Sequence, residues 1–477
     1  GNFAIFGSSG FGKSTAEMNV ALGLACKNSP ERLNYYILDF GTSSLIQLKD
    51  LPHTADYITF DENEKLGKFV KLLSEEIKTR KSLFASKNAM NFKMYNNIAT
   101  NNIPAVVVFI DNYDVVREIG MEFEAFITKL TRDGVAVGIY TVINASRSSA
   151  VKYSIISNFK NKICQYMFDP SDYVAVIGRS KYKLPEVKGR ALAKLSDVCV
   201  MQCYLPAEYN NDEEYADNIS AIVTSIANKN TAKCPSGIPM LPEFVTYSDI
   251  HSSELISNKK LTVGLDTEEV KIQYLDLDIP THLIVGSAQT GKTNILKLAC
   301  KEFSQSKIFI SDSKSMDMAD YADRDNIEYM SSTVQLEDFV SALETEVNNR
   351  EEQYLAVSKK IRLKEFCEIQ PLIIILIDDG DNFIEITKAA AKRVEEVLRK
   401  AVSYGITIIT TTMPGKLRGF DNITKILKDT QSGVVLGNPS EQNLFMFPPM
   451  RGYKPRLEKG FIYFRGSIKN VKIPITD

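Results

Sequence analysis

One loop pattern occurs twice in this chain, and the duplication limits the folds open to it. Gly7-Ser8-Ser9-Gly10-Phe11-Gly12-Lys13-Ser14 fits G-x-x-x-x-G-K-[ST], and Gly286-Ser287-Ala288-Gln289-Thr290-Gly291-Lys292-Thr293 fits it again 279 positions later. Downstream of each loop an apolar run ends in aspartate: Val106-Val107-Val108-Phe109-Ile110-Asp111, then Leu372-Ile373-Ile374-Ile375-Leu376-Ile377-Asp378. Further β-branched runs follow at Val135–Ile143 and Ile406–Thr412, and the spacing of 267 between Gly138 and Gly405 equals that of Asp111 and Asp378. The chain reads as one domain written twice.

Each copy runs strand, loop, helix, strand, long helix, strand, helix, strand. The first copy's strands are expected near Phe3–Phe6, Tyr35–Asp39, Val106–Ile110 and Ala136–Ile143. The second copy's are expected near Leu283–Val285, Ile308–Ser311, Leu372–Ile377 and Ile406–Thr411. Strands apolar on both faces and alternating with helices indicate an α/β fold with mostly parallel central sheets flanked by helices. A chain of 477 residues also exceeds one ordinary core. The polar stretch Asn228–Pro242, with Pro235, Pro239 and Pro242, is the natural joint. Domains are therefore expected at 1–230 and 246–477, with 231–245 as linker. The second copy has a lead-in at about Leu261–Ile279, which the first lacks, so the first repeat reads as cut short at its start.

Composition removes several classes. Hydrophobic content of 44% and charged content of 24% suit a globular chain, and a net charge of −2 provides no overall basic footprint for nucleic acid. The longest apolar runs, Val106–Ile110 and Leu372–Ile377, are far shorter than the ~20 residues of a membrane helix. No secretory or transit segment opens the chain. Seven scattered cysteines without a C-x-x-C pair, and only three histidines, argue against zinc and for a reducing, cytosolic compartment. Cys199 and Cys203 are expected as small buried residues on one face of a strand.

The loop pattern has a chemical reason. Its glycines let backbone N–H groups turn toward a phosphate, and the helix that follows adds its positive end. Lys13 and Lys292 reach the β- and γ-phosphates of ATP in such a loop, flanked by Thr15 and Asn294, and Ser14 and Thr293 take one position on Mg²⁺. Asp111 and Asp378, at strand ends, are expected to hold the same metal. Hydrolysis needs more. RecA-like enzymes of the additional-strand class usually place a Glu directly after that Asp to orient the attacking water. Here Asn112 and Asp379 hold the position: the first cannot accept a proton and the second is one methylene short. ATP binding with slow or conditional turnover is the expectation. Asn144, Ser146, Thr411 and Thr412 are candidate γ-phosphate sensors. Arg147, Arg179 and Arg190 are candidates to act on a neighbour's phosphate. Asp114 and Asp381 read as exposed turn residues.

The run Tyr35-Tyr36-Ile37-Leu38-Asp39-Phe40-Gly41, followed by Leu45, Leu48 and Leu51-Pro52-His53, resembles the segment after the phosphate loop in FtsK/SpoIIIE-type ATPases. It is most similar to the membrane-anchored ATPases of type VII secretion (EssC/EccC). Ile110-Asp111-Asn112-Tyr113-Asp114, Asp169-Pro170-Ser171, Lys188-Gly189-Arg190-Ala191, Met240-Leu241-Pro242-Glu243, Gly437-Asn438-Pro439-Ser440 and Gly460-Phe461-Ile462 are further matches. The resemblance covers nearly the whole chain and looks like the last two of three tandem P-loop NTPase domains. It implies a RecA-like fold, hexameric ring assembly at the cytoplasmic side of the cell membrane through a part absent from this chain, and contact with other subunits of the secretion complex. It also implies capture of secreted WXG-type helical-hairpin proteins by the last domain, roughly Pro239–Asp477, and better ATP binding than hydrolysis. DNA-pumping relatives carry a sensor Gln before the Arg that ends the fourth strand. Ser146 precedes Arg147 here, and Thr412-Met413 stands in the second copy.

Three functions remain open on the sequence. The first is protein export by an ATP-binding segment, with no nucleic acid expected. The second is DNA translocation, which wants a basic channel surface. The third is an assembly module in which nucleotide joins protomers without being hydrolysed.

Overall fold

Alternate residues of the apolar run before Asp111 feed two different cores. Val106, Val108 and Ile110 pack into one cluster, and Val107 and Phe109 into another on the opposite face of the sheet. The run before Asp378 divides the same way, with Ile374 and Leu376 on one side and Ile373, Ile375 and Ile377 on the other. A strand buried on both faces belongs at the centre of a helix-covered sheet, and both runs lie there. The computed structural model describes residues 1–194, 197–208, 210–450 and 453–474, which form two units, Gly1–Ile238 and Pro239–Asp477.

The first unit contains strands β1 (Phe3–Phe6), β2 (Leu33–Asp39), β3 (Thr54–Thr59), β4 (Ala105–Asp111), β5 (Ile139–Ala145), β6 (Asn161–Gln165), β7 (Arg190–Lys194) and β8 (Val198–Gln202). They lie in the order β3-β2-β4-β5-β1-β6-β7-β8, parallel through β6 and antiparallel beyond it. The second unit contains β9 (Lys260–Asp266), β10 (Ile272–Asp276), β11 (Thr281–Gly286), β12 (Lys307–Ser311), β13 (Ile327–Met330), β14 (Ile373–Ile377), β15 (Thr407–Thr412), β16 (Ser432–Leu436), β17 (Lys459–Phe464) and β18 (Ser467–Lys472). Their order is β10-β9-β18-β17-β16-β11-β15-β14-β12-β13. The parallel core β13-β12-β14-β15-β11-β16 repeats β3-β2-β4-β5-β1-β6 strand for strand. In each unit one strand, β5 or β15, stands between the strand that leads into the loop and the strand that ends in aspartate.

Several details differ from the sequence reading. Val135–Val137 is a 3₁₀ turn, and the fourth strand begins only after Gly138, at Ile139. Short edge strands β3 and β13 follow the second strand of each copy; neither stands out by apolar pattern because only part of each is buried. The lead-in to the second copy forms the hairpin β9–β10, joined to β18. Cys199 lies on the edge strand β8 and is exposed, while Cys203 falls beyond its end and is half-buried, so they share no buried face. Ile238, in the stretch expected as linker, is buried in the first unit's core, with its N–H donating to Asp56 Oδ2 at 2.8 Å. Val245 is buried in the second unit's core. Among the described residues no helix is long and apolar enough to cross a membrane.

The turn before the inserted strand is built alike in both units. Arg80, on the helix Asn63–Ser86, donates from Nη1 to Val137 O at 3.0 Å. Arg350, on the helix Leu336–Val357, donates to Tyr404 O and Gly405 O, both at 2.9 Å. Gly138 and Gly405 occupy the left-handed region, with φ of 80° and 74°. A Cβ on Gly405 would stand 2.8 Å from Cys367 Cβ, and one on Gly138 would run into the Phe92 ring. Gly405→Ala thus meets both backbone strain and a clash. It should lower the second unit's stability by more than about 1 kcal/mol, read as a reduced denaturant midpoint.

Candidate functional site

Strands β1 and β11 end buried, and the chain turns at once into the helices Lys13–Ala25 and Lys292–Glu302. Gly12 and Gly291 make that turn with φ of 98° and 95°. Neither helix carries a side-chain cap, so their first amides stay open for an anion. At the second loop glycine the copies diverge. Gly10 and Gln289 both take positive φ, 83° and 59°, although only one is glycine. Lys13 Nζ folds back to Ser8 O at 3.4 Å, and Lys292 Nζ to Ser287 O at 2.7 Å. Burial lowers the pKa of both lysines, opposed by Asp114 and Asp111 in the first unit and by Asp378 and Asp379 in the second. A cavity of about 400 Å³ opens at the second loop between Gln289, Lys292, Asn294, Lys297 and Asp317.

Each helix hydroxyl meets the strand-end carboxylate across the sheet. Ser14 Oγ donates to Asp111 Oδ1 and Thr293 Oγ1 to Asp378 Oδ2, both at 2.7 Å. Hydroxyl and carboxylate are the hard oxygen donors that Mg²⁺ or another small divalent cation accepts, and ammonium plus open amides suit a polyphosphate. The residue set fits both groups.

The end of the inserted strand supplies the remaining donor. In the first unit Asn144, 1% exposed, donates from Nδ2 to Asp111 Oδ1 at 2.5 Å and also to Glu17 Oε2, while its Oδ1 accepts from Asn112 N at 2.9 Å. Its amide is fully committed within the protein. In the second unit Thr411 Oγ1 donates to Asp378 Oδ1 at 2.5 Å. Burial raises the pKa of Asp111, against the lowering effect of Ser14 and Asn144. It raises that of Glu17 further, with the charge of Asp111 adding to the effect.

Both residues that follow the aspartate make side-chain contacts within the protein. Asn112 has a φ of 58° and donates its side-chain amide to Phe40 O at 3.1 Å. Asp379 caps the helix Gly380–Thr387, accepting from Asn382 N at 2.8 Å. Asp114 and Asp381 are half-buried and engaged, contrary to the exposed turns expected of them. Asp114 accepts from Ser146 N at 2.7 Å and Asp381 from Leu417 N at 3.3 Å. Each holds the segment that leaves the inserted strand. Thr412 makes a 3.4 Å contact to Met413 O. Arg147 is exposed beside Asp114, Arg179 is exposed, and Arg190 donates to Gln202 Oε1 at 2.9 Å.

Two further groups in this region had no role assigned from the sequence. Glu17 lies one turn along the first loop's helix, with no exposed surface, and an acid at a position matched by Leu296 in the other copy was a signal available in the sequence. The second is a pair of carboxylate locks. Asp39 Oδ2 accepts from Tyr57 OH at 2.8 Å and Leu45 N at 2.9 Å, and Asp312 Oδ2 accepts from Tyr329 OH at 2.8 Å and Met318 N at 2.9 Å. They pin the loop after β2 and β12 next to the site, and the near-equal offsets of these residues between copies would have revealed them.

Replacing Lys13 by Ala should remove one equivalent of bound Mg·ATP and Lys292→Ala another; calorimetric stoichiometry checks both. Asn144→Ala strips donors from two carboxyls and an acceptor from Asn112, so it should cost about 2–3 kcal/mol in chemical denaturation. Glu17→Gln retains an acceptor for Asn144 and should cost well under half of that.

The chain is similar to known proteins over its whole length. The profile of the FtsK/SpoIIIE family matches residues 1–191. The ESX secretion system protein EccC of Geobacillus thermodenitrificans is 31% identical over 486 aligned positions, covering 100% of this chain and 32% of its own length. The chain thus spans about a third of the length of the curated relatives it matches. Among solved structures, ATPases 2 and 3 of EssC from the same genus and species superpose with a TM-score of 0.90 at 29% identity, covering 100% of this chain and 92% of that one. The cytoplasmic domain of EssC superposes with a TM-score of 0.85 at 30% identity, covering 100% and 96%.

Proposed function

Because the chain belongs to the FtsK/SpoIIIE-type ATPases of type VII secretion, we propose that its two units bind Mg·ATP and recruit small secreted proteins for export, with weak hydrolysis. One observation carries the reading. Both copies keep the loop lysine, the hydroxyl and the hydroxyl–carboxylate pair, while Asn112 and Asp379 are bound into the protein where a base would act. Bound Mg²⁺ would neutralise phosphate charge between the hydroxyl and the carboxylate. The loops Gly7–Thr15 and Gly286–Asn294 would hold the phosphates. Nucleotide then serves occupancy and assembly more than turnover.

In this reading the complete protein works as a hexamer at the cytoplasmic face of the cell membrane, in contact with other subunits of the secretion complex. Its cargo is a WXG-type helical hairpin whose amphipathic tail docks on the second unit, Pro239–Asp477. Such a tail lays its i, i+3 and i+4 side chains in an apolar groove. A single tail binds at micromolar strength or weaker, since ordering it offsets much of the contact energy. A ring recovers affinity by offering several grooves to a dimeric cargo.

Steady-state ATP hydrolysis by the chain should be slow, and Asn112→Glu should raise it wherever the introduced carboxylate reaches the attacking water. Fast turnover by the unmodified chain, abolished by Lys13→Ala, would overturn the reading of Asn112. Crosslinking a labelled hairpin tail to the chain should map to Pro239–Asp477; crosslinks confined to residues before Ile238 would overturn the docking assignment.

A further inference from the structure

Beside the first phosphate loop stands a step of three aromatic rings. Phe11, inside the loop and largely buried, has its ring centroid 4.8 Å from that of Tyr166 and 6.0 Å from that of Phe168. Tyr166 and Phe168 meet edge to face at 5.8 Å. Phe168 is 70% exposed, yet the backbone beneath it is firmly held. Its N–H donates to Ser8 Oγ at 3.1 Å, and Ser8 N–H donates to Tyr166 O at 2.8 Å. Met167 N–H donates to Tyr173 OH at 2.6 Å between them. The segment that carries the rings is therefore bonded to the phosphate loop itself.

Among the described residues the second loop has no such step. Thr290 stands where Phe11 does, by the same offset of 279. The parallel registers of β1 on β6 and of β11 on β16 set Gly437 in the place of Tyr166, followed by Asn438 and Pro439. Duplication has kept the phosphate-facing residues and changed the flat apolar ones. An exposed ring is costly to present to water, and a ring anchored to a phosphate loop lies beside the one ligand whose charged end that loop takes.

We propose that Phe168, backed by Tyr166 and Phe11, is a stacking platform for the base of the nucleotide held by the first loop. The first site thereby reads the base of its nucleoside triphosphate as well as the phosphates, while the second reads phosphates with little help from the base. This rests on the nucleotide-binding reading above. Stacking of a base on an aromatic side chain supports about a tenfold or greater gain in affinity.

The test separates the base from the phosphates. ATP and inorganic tripolyphosphate are titrated calorimetrically into the full chain and into Phe168→Ala. The variant should lose about tenfold in ATP affinity at one of two sites and keep its affinity for tripolyphosphate. The chain contains no tryptophan, so Phe168→Trp introduces a single reporter ring. Its emission should be quenched by ATP and untouched by tripolyphosphate, with ATP affinity restored. Equal ATP affinity in Phe168→Ala, or equal losses for both ligands, would overturn the platform while leaving the phosphate loops as assigned. Failure of both ligands to bind the unmodified chain would overturn the nucleotide reading and the platform with it.

Discussion

A carboxylate buried at the end of a strand has to be given donors, and in each unit those donors dictate how the surrounding pieces meet. Asp111 takes a hydroxyl from the loop helix and an amide from the inserted strand; Asp378 takes two hydroxyls from the same two places. The loop, the helix and two strands are brought to one point by an electrostatic need that no apolar packing could satisfy. The inserted strand is what makes this possible. With β5 between β1 and β4, and β15 between β11 and β14, its tip faces the carboxylate directly.

Much of this was legible in the residues alone. The loop pattern fixes glycines, lysine and hydroxyl by their chemistry, and an apolar, largely β-branched run of five or six residues ending in Asp reads as a buried strand with a polar tip. Those features are local, so periodicity and spacing reach them. What escaped depended on partners distant in sequence. The edge strands β3 and β13 are half-covered, and their alternation is diluted by Thr and Glu residues. The turn at Val135–Val137 looks like strand by composition, but Gly138 beyond it needs a left-handed backbone and Arg80 claims its carbonyl. Asp114 and Asp381 read as surface because nothing in their neighbourhood shows the backbone amides of Ser146 and Leu417 that they hold.

The repeat itself distinguishes what is required from what is incidental. The buried arginine under the inserted strand, the glycine beside it and the tyrosine on the loop-locking carboxylate recur in both units. The aromatic rings beside the loop, Glu17, and the choice of Asn or Thr against the aspartate do not. The scaffold and the phosphate-facing residues have been retained, and the variation falls on the buried partners of the aspartate and on the rings beside the loop.

That choice of Asn or Thr gives the two halves different mechanical temperaments. A planar amide engaged with Glu17, Asp111 and Asn112 at once cannot swing away from one without straining the other two, so the three contacts change together. The Thr411 hydroxyl holds Asp378 through a single rotatable bond. The first half is built as a latch and the second as a swivel.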